Sequence, residues 1–411
     1  MTPFTVLLGL PVVLLLAATP AGARPLPPEA VDLPGIVHLA REASPRLAPE
    51  RERVAAAEAR RLAAEAYPNP TLGYGGWAPA GGRDTIFTGS RQEDVGLDVP
   101  VLLPGLRGAR VAAADRDLVA ARARVVAMGS EHAAEAARAY VALLAAQERR
   151  AVVAKAIVEV ERLRAVVSGR HASGAASRYE VLRAEMELSG WRTRLAEAEA
   201  EVADRQGSLA TLLGLPGWRP RARGPLEPLD LATPTPEDVA RAPVVAAARQ
   251  EEVAAEAAIE VTRWARWPGL SFSLGRSWTA EPFGAAHQGN VSVELPFLDT
   301  RRGAVAEAEA EARAAALRRT LSEAEVKAGL ERHTRVAQQR RRALDEFDST
   351  TGRRLGELER YAEAAYQLGR TTLLEWLDAV RVRHELRLMR VGLVAGLVDA
   401  QVSIKGLQGF P

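Results

Sequence analysis

Few residues of this 411-residue sequence have the spacing that catalysis or metal binding requires. Cysteine is absent, which excludes thiolate nucleophiles, thiolate metal sites and disulfides. There is no nucleophile elbow or glycine-rich phosphate loop, and no two histidines have the i, i+4 spacing of a helical metal site. The sequence therefore predicts no enzyme, no metal site and no other cofactor. The histidines are His38, His132, His171, His287, His333 and His384.

Two carboxylates do have an informative spacing. Glu375 and Asp378 are three residues apart, which places both on one face of a helix. Glu375 also follows Thr372 at the spacing of a capping box, so helix capping alone explains it. Asp378 has no such explanation and is the stronger candidate for a functional carboxylate.

Composition argues against a nucleic-acid partner. The chain is 47% hydrophobic and 26% charged, yet its formal net charge is only +2. Basic residues alternate with Glu and Asp and do not form one basic stripe. The length allows one large domain or two ordinary ones.

A glycine turn occurs twice in the sequence. Gly174 and Gly369 lie 195 positions apart, within stretches of the same layout, SGAASRYEVLRA and LGRTTLLEWLDA. Glycine permits the backbone that a tight turn needs. A capping box follows each glycine, S-R-Y-E in the first stretch and T-L-L-E in the second, and its hydroxyl and Glu satisfy N–H groups at a helix start. The sequence predicts two helical hairpin tips, capped by Ser177 and Thr372.

Other landmarks repeat in the same order. Tyr67–Tyr74 corresponds to Trp267–Phe272, and VGLDVP at Val95–Pro100 corresponds to VSVELP at Val291–Pro296. Since the offsets stay between 195 and 200 positions, we predict an internal duplication. The predicted division is a signal peptide at 1–23, a first repeat at 24–222, a Pro-rich linker at 223–236 and a second repeat at 237–411.

The N-terminus has the pattern of a secretory signal. An apolar run, Val6–Ala18, precedes Ala21-Gly22-Ala23, which predicts cleavage after Ala23 and a mature chain outside the cytoplasm. No Lys or Arg precedes the run, so an uncleaved anchor stays an alternative. No later segment reaches the length of a transmembrane helix, so any membrane span must be built from strands.

The predicted helix lengths match one another. In the second repeat, Gly303–Leu368 holds 66 residues, about 99 Å of helix. The helices Ala240–Trp267 and Thr372–Leu407 hold 28 and 36 residues, about 96 Å laid end to end. The first repeat gives the same match between Gly105–Gly169 and the pair Ser44–Tyr67 and Ser177–Leu213. Such matching suits a long tube walled by helices.

Each repeat also carries two alternating segments. Val95, Leu97 and Val99 share one strand face, and Asp98 lies on the other. Glu294 has the same position between two apolar residues. A membrane barrel with a polar interior and a soluble hairpin packed on helices both fit this alternation. Four strands cannot close a usable barrel, so a membrane sheet would have to be shared by several chains.

Taken together, these features resemble the TolC outer-membrane efflux protein family over about Leu33 to Leu407. The motifs are the signal peptide, the doubled helix–strand–strand–helix–helix unit, YPNPTLGYGG, VGLDVP, VELPFLDTRRG and YQLGRTTLLEWLDA. The resemblance implies a mainly α fold with a small β part. Long helical hairpins would form a periplasmic α-barrel, and four transmembrane strands per chain would contribute to a twelve-stranded β-barrel in a homotrimer.

The resemblance further implies an exit duct in the outer membrane of a Gram-negative bacterium, with a periplasmic extension. Its partners would be a periplasmic adaptor, also called a membrane fusion protein, and an inner-membrane pump of the resistance-nodulation-division type, including the heavy-metal type. Many such proteins carry a lipidated cysteine at the mature N-terminus, and this chain has none.

Site roles follow from the resemblance, position by position. The tips would dock the adaptor, acidic residues after the second tip would line a periplasmic constriction, and the polar strand face would line the barrel lumen. A purely structural role stays open for each of these residues, because any helical hairpin needs a turn and soluble sheets also expose carboxylates. The implied residues are Gly174, Ser177, Gly369 and Thr372 at the tips, Glu375 and Asp378 at the gate with Arg183 as a latch partner, and Asp98 and Glu294 in the lumen.

A different class of protein remains as an alternative. A periplasmic adaptor or coiled-coil scaffold would also use long hairpins, without forming a channel. The paired strand segments at matched places argue against it, because an adaptor has no need of four lipid-facing strands.

Overall fold

A computed structural model describes residues 26–77, 92–279 and 284–410 of the chain. The predicted signal peptide, residues 1–23, lies outside the described residues, and the predicted division of the chain stays a prediction. The described chain is mainly helical with a small β part and an internal duplication, which confirms the predicted fold class.

The first repeat is built around one very long helix. This helix, α3, holds 69 residues and is rich in Ala and Arg, both good helix formers, with no proline after its first position. The elements of the repeat are β1 (Ala30–Val31), α1 (Leu33–His38), α2 (Ala48–Glu65), β2 (Thr71–Trp77), β3 (Gln92–Val101), α3 (Pro104–Ala172) and α4 (Arg178–Leu213).

The second repeat follows the same order, with one difference. The prediction of an unbroken helix over Gly303–Leu368 is wrong, because Asp348–Gly352 is π-helical and divides it. The hydroxyls of Ser349 and Thr350 both donate to the Glu346 carbonyl, at 3.0 and 2.6 Å, and so compete with the helical ladder. After β4 (Arg221–Ala222), which lies at the end of the first predicted repeat, the elements are α5 (Pro236–Arg241), α6 (Pro243–Trp264), β5 (Gly269–Thr279), β6 (Ala285–Glu294), α7 (Arg302–Phe347), α8 (Arg353–Gln367) and α9 (Leu373–Gln408).

Two shorter helices lie along each long one. In the first repeat, α2 and α4 both pack against α3, joined by ion pairs such as Arg60–Asp117 at 2.7 Å and Arg149–Glu201 at 2.6 Å. In the second repeat, α6 and α9, of 22 and 36 residues, lie along α7 and α8. Among the described residues, no helix has both the length and the hydropathy needed to cross a lipid bilayer.

The two repeats join along α3. Arg124 of α3 binds Glu251 of α6 at 2.5 Å, and Glu159 of α3 contacts Arg383 and His384 of α9. One apolar cluster lies midway along the helices and contains Ile36, Leu143, Leu209, Leu213 and Leu397. A second cluster lies toward the tips and contains Val160, Leu163, Trp191, Trp376 and Leu377.

The strands form one antiparallel sheet in the order β2-β3-β5-β6. Leu97 pairs with Leu274 and Val99 pairs with Phe272, so apolar side chains share one face. Asp98 pairs with Ser273 on the opposite face. The predicted alternation is therefore confirmed, and β2 and β6 are the two edges of the sheet.

A second, smaller sheet was not predicted from the sequence. Strands β1 and β4 pair in parallel, with Arg221 donating its N–H to the Glu29 carbonyl at 2.6 Å. The linker then crosses α9, where the Gln401 amide binds both the N–H and the carbonyl of Leu229, at 2.9 and 2.6 Å. The connection between the repeats is thus held against the helical wall.

Candidate docking tips and gate

The first tip is a Schellman turn followed by a capping box. Gly174 has φ 76°, and its N–H donates to the His171 carbonyl at 2.9 Å, while the Ala175 N–H donates to the Arg170 carbonyl at 2.7 Å. The Ser177 N–H then donates to the Glu180 carboxylate at 2.7 Å, and the Glu180 N–H donates to the Ser177 hydroxyl at 3.3 Å. The predicted turn and cap are both present.

The second tip repeats the glycine turn and the reciprocal capping bonds of the first. Gly369 has φ 69°, and its N–H donates to the Tyr366 carbonyl at 3.0 Å. The Thr372 N–H donates to the Glu375 carboxylate at 2.8 Å, and the Glu375 N–H donates to the Thr372 hydroxyl at 3.3 Å. The two tips are therefore equivalent turns at one end of the molecule.

The two predicted gate carboxylates are exposed in the first two turns of α9. Glu375 is committed to the capping box. Asp378 instead accepts a hydrogen bond from the Arg381 guanidinium at 2.6 Å, and this bond raises the pKa of Arg381. Asp378 and Arg381 are three positions apart, so the pair stays on one exposed helix face.

Arg183, the predicted latch partner, does not pair with Asp378 within the chain. It lies on α4, and its Nε is buried without a hydrogen-bond partner. A pair between Arg183 of one chain and Asp378 of another stays a prediction.

The predicted lumen carboxylates lie on the polar face of the sheet. The Ser273 hydroxyl donates to the Asp98 carboxylate at 2.6 Å. Glu294 pairs in register with Gly269, and on the same face Ser292 opposes Ser271. The face thus combines acidic and small polar groups opposite an apolar face.

Sequence reasoning missed a buried ionic cluster. Glu159 of α3 binds Arg383 of α9 and lies 2.5 Å from Nε2 of His384. Arg383 and His384 are 1% and 0% exposed, and the Trp191 ring of α4 packs edge-on against His384 at 5.6 Å. The helical spacing of His384 from Leu377 and Val380, which are buried, was the available signal.

The cluster holds His384 neutral. Burial, with the nearby charges of Arg383 and Arg387, lowers the pKa of His384 to about 4. Burial also lowers the pKa of Arg383 to about 10, so the guanidinium stays charged and pairs with Glu159.

A second unpredicted contact joins the tips. The Arg170 guanidinium at the end of α3 donates to the Tyr366 carbonyl at 2.9 Å and lies 4.8 Å from the centre of the Tyr366 ring. The Tyr366 ring packs on Trp376 of α9 at 4.9 Å. The second tip is thereby attached to the first hairpin.

These features define a class of protein: an elongated, internally duplicated subunit with long helical hairpins, two equivalent tips at one end and a four-stranded sheet at the other. Residues 36–215 match the family model "Outer membrane efflux protein". This match confirms the resemblance to that family seen in the sequence.

Individual relatives agree with this resemblance. The cobalt-zinc-cadmium resistance protein CzcC of Cupriavidus metallidurans is 24% identical over 325 residues, 78% of each chain. The pyoverdine export outer membrane protein OpmQ of Pseudomonas putida is 27% identical over 409 residues, 92% of this chain and 86% of the relative. The CmeC outer membrane channel of Campylobacter jejuni, 14% identical, superposes with a TM-score of 0.73 over 92% of this chain and 85% of its own. The family and these relatives support a role in efflux.

Proposed function

We propose that three copies of this chain form an outer-membrane exit duct of a tripartite exporter, with its helical part extending into the periplasm. Substrates would pass passively from a periplasmic adaptor and an inner-membrane pump of the resistance-nodulation-division type to the exterior. The observation that carries the proposal is the sheet, whose apolar face is exposed in the single chain: Leu72 and Leu274 are 75% and 70% exposed. Lipid would cover that face, and the polar face would line a lumen.

The open edges of the sheet support sharing among chains. An unpaired strand edge is costly in a bilayer, because no water satisfies its N–H and carbonyl groups. Pairing β2 of one chain with β6 of the next removes both edges. Three copies would give a closed barrel of twelve strands.

The helical part offers matching lateral surfaces. Tyr179, Leu182 and Met186 form an exposed apolar stripe along α4 at i, i+3 and i+7. Tyr361 on α8 and Leu368 just after its end are exposed near the second tip. A neighbouring chain would cover both sets, with α4 of one copy beside α8 of the next.

Assembly would also bring together the charged side chains of the predicted gate. Three copies would bring Glu375 and Asp378 around one constriction, and crowded carboxylates attract cations. Arg183, whose Nε is unsatisfied in the single chain, would gain a carboxylate from the neighbour. The tips around Gly174 and Gly369 would dock the adaptor.

The names of the relatives concern the exported substrate. CzcC is described as a metal resistance protein and OpmQ as a pyoverdine export protein, so similar chains serve different cargoes. We infer that the pump selects the substrate and that this duct does not. The adaptor or scaffold alternative gives no account of the exposed apolar sheet face.

The first test is the native mass of the protein extracted from membranes in detergent, corrected for bound detergent. We expect about three chains, together with ion conductance after insertion into planar bilayers. A monomer or dimer that stays soluble without detergent would overturn the proposal.

A further inference from the structure

We propose that Arg276 and His287 form a binding site for the phosphate group of an anionic membrane lipid. The site lies on the apolar face of the four-stranded sheet, at the end remote from the helices. It rests on the proposed function, because lipid reaches this face only if the sheet lies in the outer membrane. Both side chains point away from the polar face that would line the lumen, so conduction alone gives them no role.

The two basic residues are directly opposed on neighbouring strands. Arg276 of β5 pairs with His287 of β6 on one side and with Val95 of β3 on the other, and Val95 pairs with Tyr74 of β2. Opposed side chains share a face of the sheet, with Cβ atoms about 5 Å apart. The four residues therefore form one row across the sheet, in which the two basic side chains can contact a single headgroup.

This row lies on the apolar face. Arg276 alternates in phase with Phe272 and Leu274, and both Arg276 and His287 are exposed. They are the two basic residues of the four strands, so all the basic side chains of the sheet lie on the face assigned to lipid. The polar face carries three of the four carboxylates of these strands: Asp94, Asp98 and Glu294.

The depth of the row fits a membrane boundary. Trp267, at the helical end of the sheet, and Arg276 are nine positions apart, about 30 Å along an extended strand and about 23 Å along the membrane normal at the usual tilt. The apolar band of a membrane barrel is about 25 Å tall, with aromatic residues at both borders. Trp267 is exposed at one border, and Tyr74 and Trp278 are exposed at the other. Arg276 is therefore at headgroup level, where a charge on the lipid face costs little.

The guanidinium of Arg276 has no carboxylate partner among the described residues. It lies 5.3 Å from the centre of the Trp278 ring, which holds it by a cation–π contact. Glu93, the one carboxylate described on this face, opposes Trp278 in the next row and is not an ion-pair partner of Arg276. A guanidinium has paired N–H donors that match two oxygens of one phosphate. The charge and the geometry of the site thus select a phosphate group.

The surface beside the basic pair suits an acyl chain. Gly289 follows His287 on the same face and pairs with Leu274, so no side chain covers the sheet at that position. Glycine within a strand often marks a place that a ligand approaches closely. In the next row Phe272 pairs with Val291, which continues the apolar surface. A phosphate site that leads into an apolar surface fits a membrane lipid and not a free phosphate ion.

The test is lipid binding by the full-length protein in detergent, measured by native mass spectrometry. The probes are dioleoyl phosphatidic acid and dioleoylglycerol, which has the same acyl chains without the phosphate. Inorganic phosphate is added as a competitor. The native mass and the helical content of each variant show whether it is folded, and conductance in planar bilayers is recorded separately.

We expect phosphatidic acid to bind in preference to dioleoylglycerol. Arg276→Gln should weaken the binding of phosphatidic acid about tenfold, because hydrogen bonds to a charged group are lost. Arg276→Lys keeps the charge without the paired donors and should give a smaller loss, and His287→Gln should add to the loss in Arg276→Gln. The matched control is Arg178→Gln, which removes an exposed arginine at the first tip and should bind as the wild type does.

Equal binding of phosphatidic acid and dioleoylglycerol, or unchanged binding in Arg276→Gln, would overturn the site. Displacement of the lipid by millimolar inorganic phosphate would overturn it too, because the site would then take a free anion. A conducting trimer without phosphate-dependent lipid binding would contradict the site and leave the proposed function intact. A monomer that does not conduct but binds phosphatidic acid through Arg276 would support the site and contradict the duct.

Discussion

At the scale of single residues, the most unusual arrangement is a charge buried in a helical wall. Arg383 is almost fully enclosed, and Glu159 from the other repeat is its carboxylate partner. A buried ion pair adds little net stability, but loss of one member leaves an uncompensated charge. The cluster therefore fixes how α9 lies against α3 and tolerates few alternatives.

His384 makes this cluster sensitive to acid. Its pKa is lowered to about 4 in the folded chain, below the ordinary value of 6.5. The stabilisation from neutral His384 is thus complete above pH 6.5 and is lost as the pH falls toward 4, by roughly 3 kcal/mol per chain. Urea unfolding at pH 7 and pH 4.5 measures this difference.

Comparing the wild type with His384→Gln separates the contribution of this histidine to the pH dependence of unfolding from the contribution of the carboxylates. The variant should lose less stability than the wild type over this interval. The exposed His171, changed to Gln, serves as the control and should behave as the wild type does. If the free energy of unfolding changed equally with pH in the wild type and in His384→Gln, the burial of His384 would not make the fold sensitive to acid.

At the scale of elements, the two tips are set by their own sequences. Thr372→Ala removes the hydroxyl that accepts the Glu375 N–H and should cost about 1 kcal/mol. The loss should be local, because α9 is packed firmly beyond its first turn. Hydrogen exchange of the amides at 373–376 measures it, with Thr372→Ser as the conservative control. Unchanged exchange in Thr372→Ala would contradict a stabilising cap.

Elements that depend on local sequence were the predictable ones. A capping box needs only four neighbouring residues, so the caps at Ser177 and Thr372 could be predicted. A strand face needs only alternation of apolar and polar residues, so the side of the sheet that carries Asp98 could be predicted as well. The π-helical segment Asp348–Gly352 was missed because it lies within a long sequence of helical composition. The contact between Glu159 and His384 joins residues 225 positions apart, and no local pattern encodes such a pairing.

At the scale of the whole molecule, assembly should depend on the apolar stripe along α4. Met186→Glu places a charge where a neighbouring chain would cover it, and burying an unpaired charge is costly. We expect this variant to shift the native mass in detergent from three chains toward one while the helical content stays the same. Val158→Glu changes an equally exposed apolar residue on α3, outside the stripe, and is the matched control. A stable trimer of Met186→Glu would exclude this surface from the interface.

The two ends of the described chain meet. The Arg41 guanidinium donates to the Phe410 carbonyl at 3.0 Å, and the linker between the repeats is bound by Gln401, close to the C-terminus. Synthesis delivers the N-terminal segment first and these partners more than 350 residues later. The linker therefore stays unattached until the part of α9 that carries Gln401 has emerged. A chain that stops before Gln401 would lack both Gln401 and Phe410, so the N-terminal segment and the linker can be fastened only after α9 has been made.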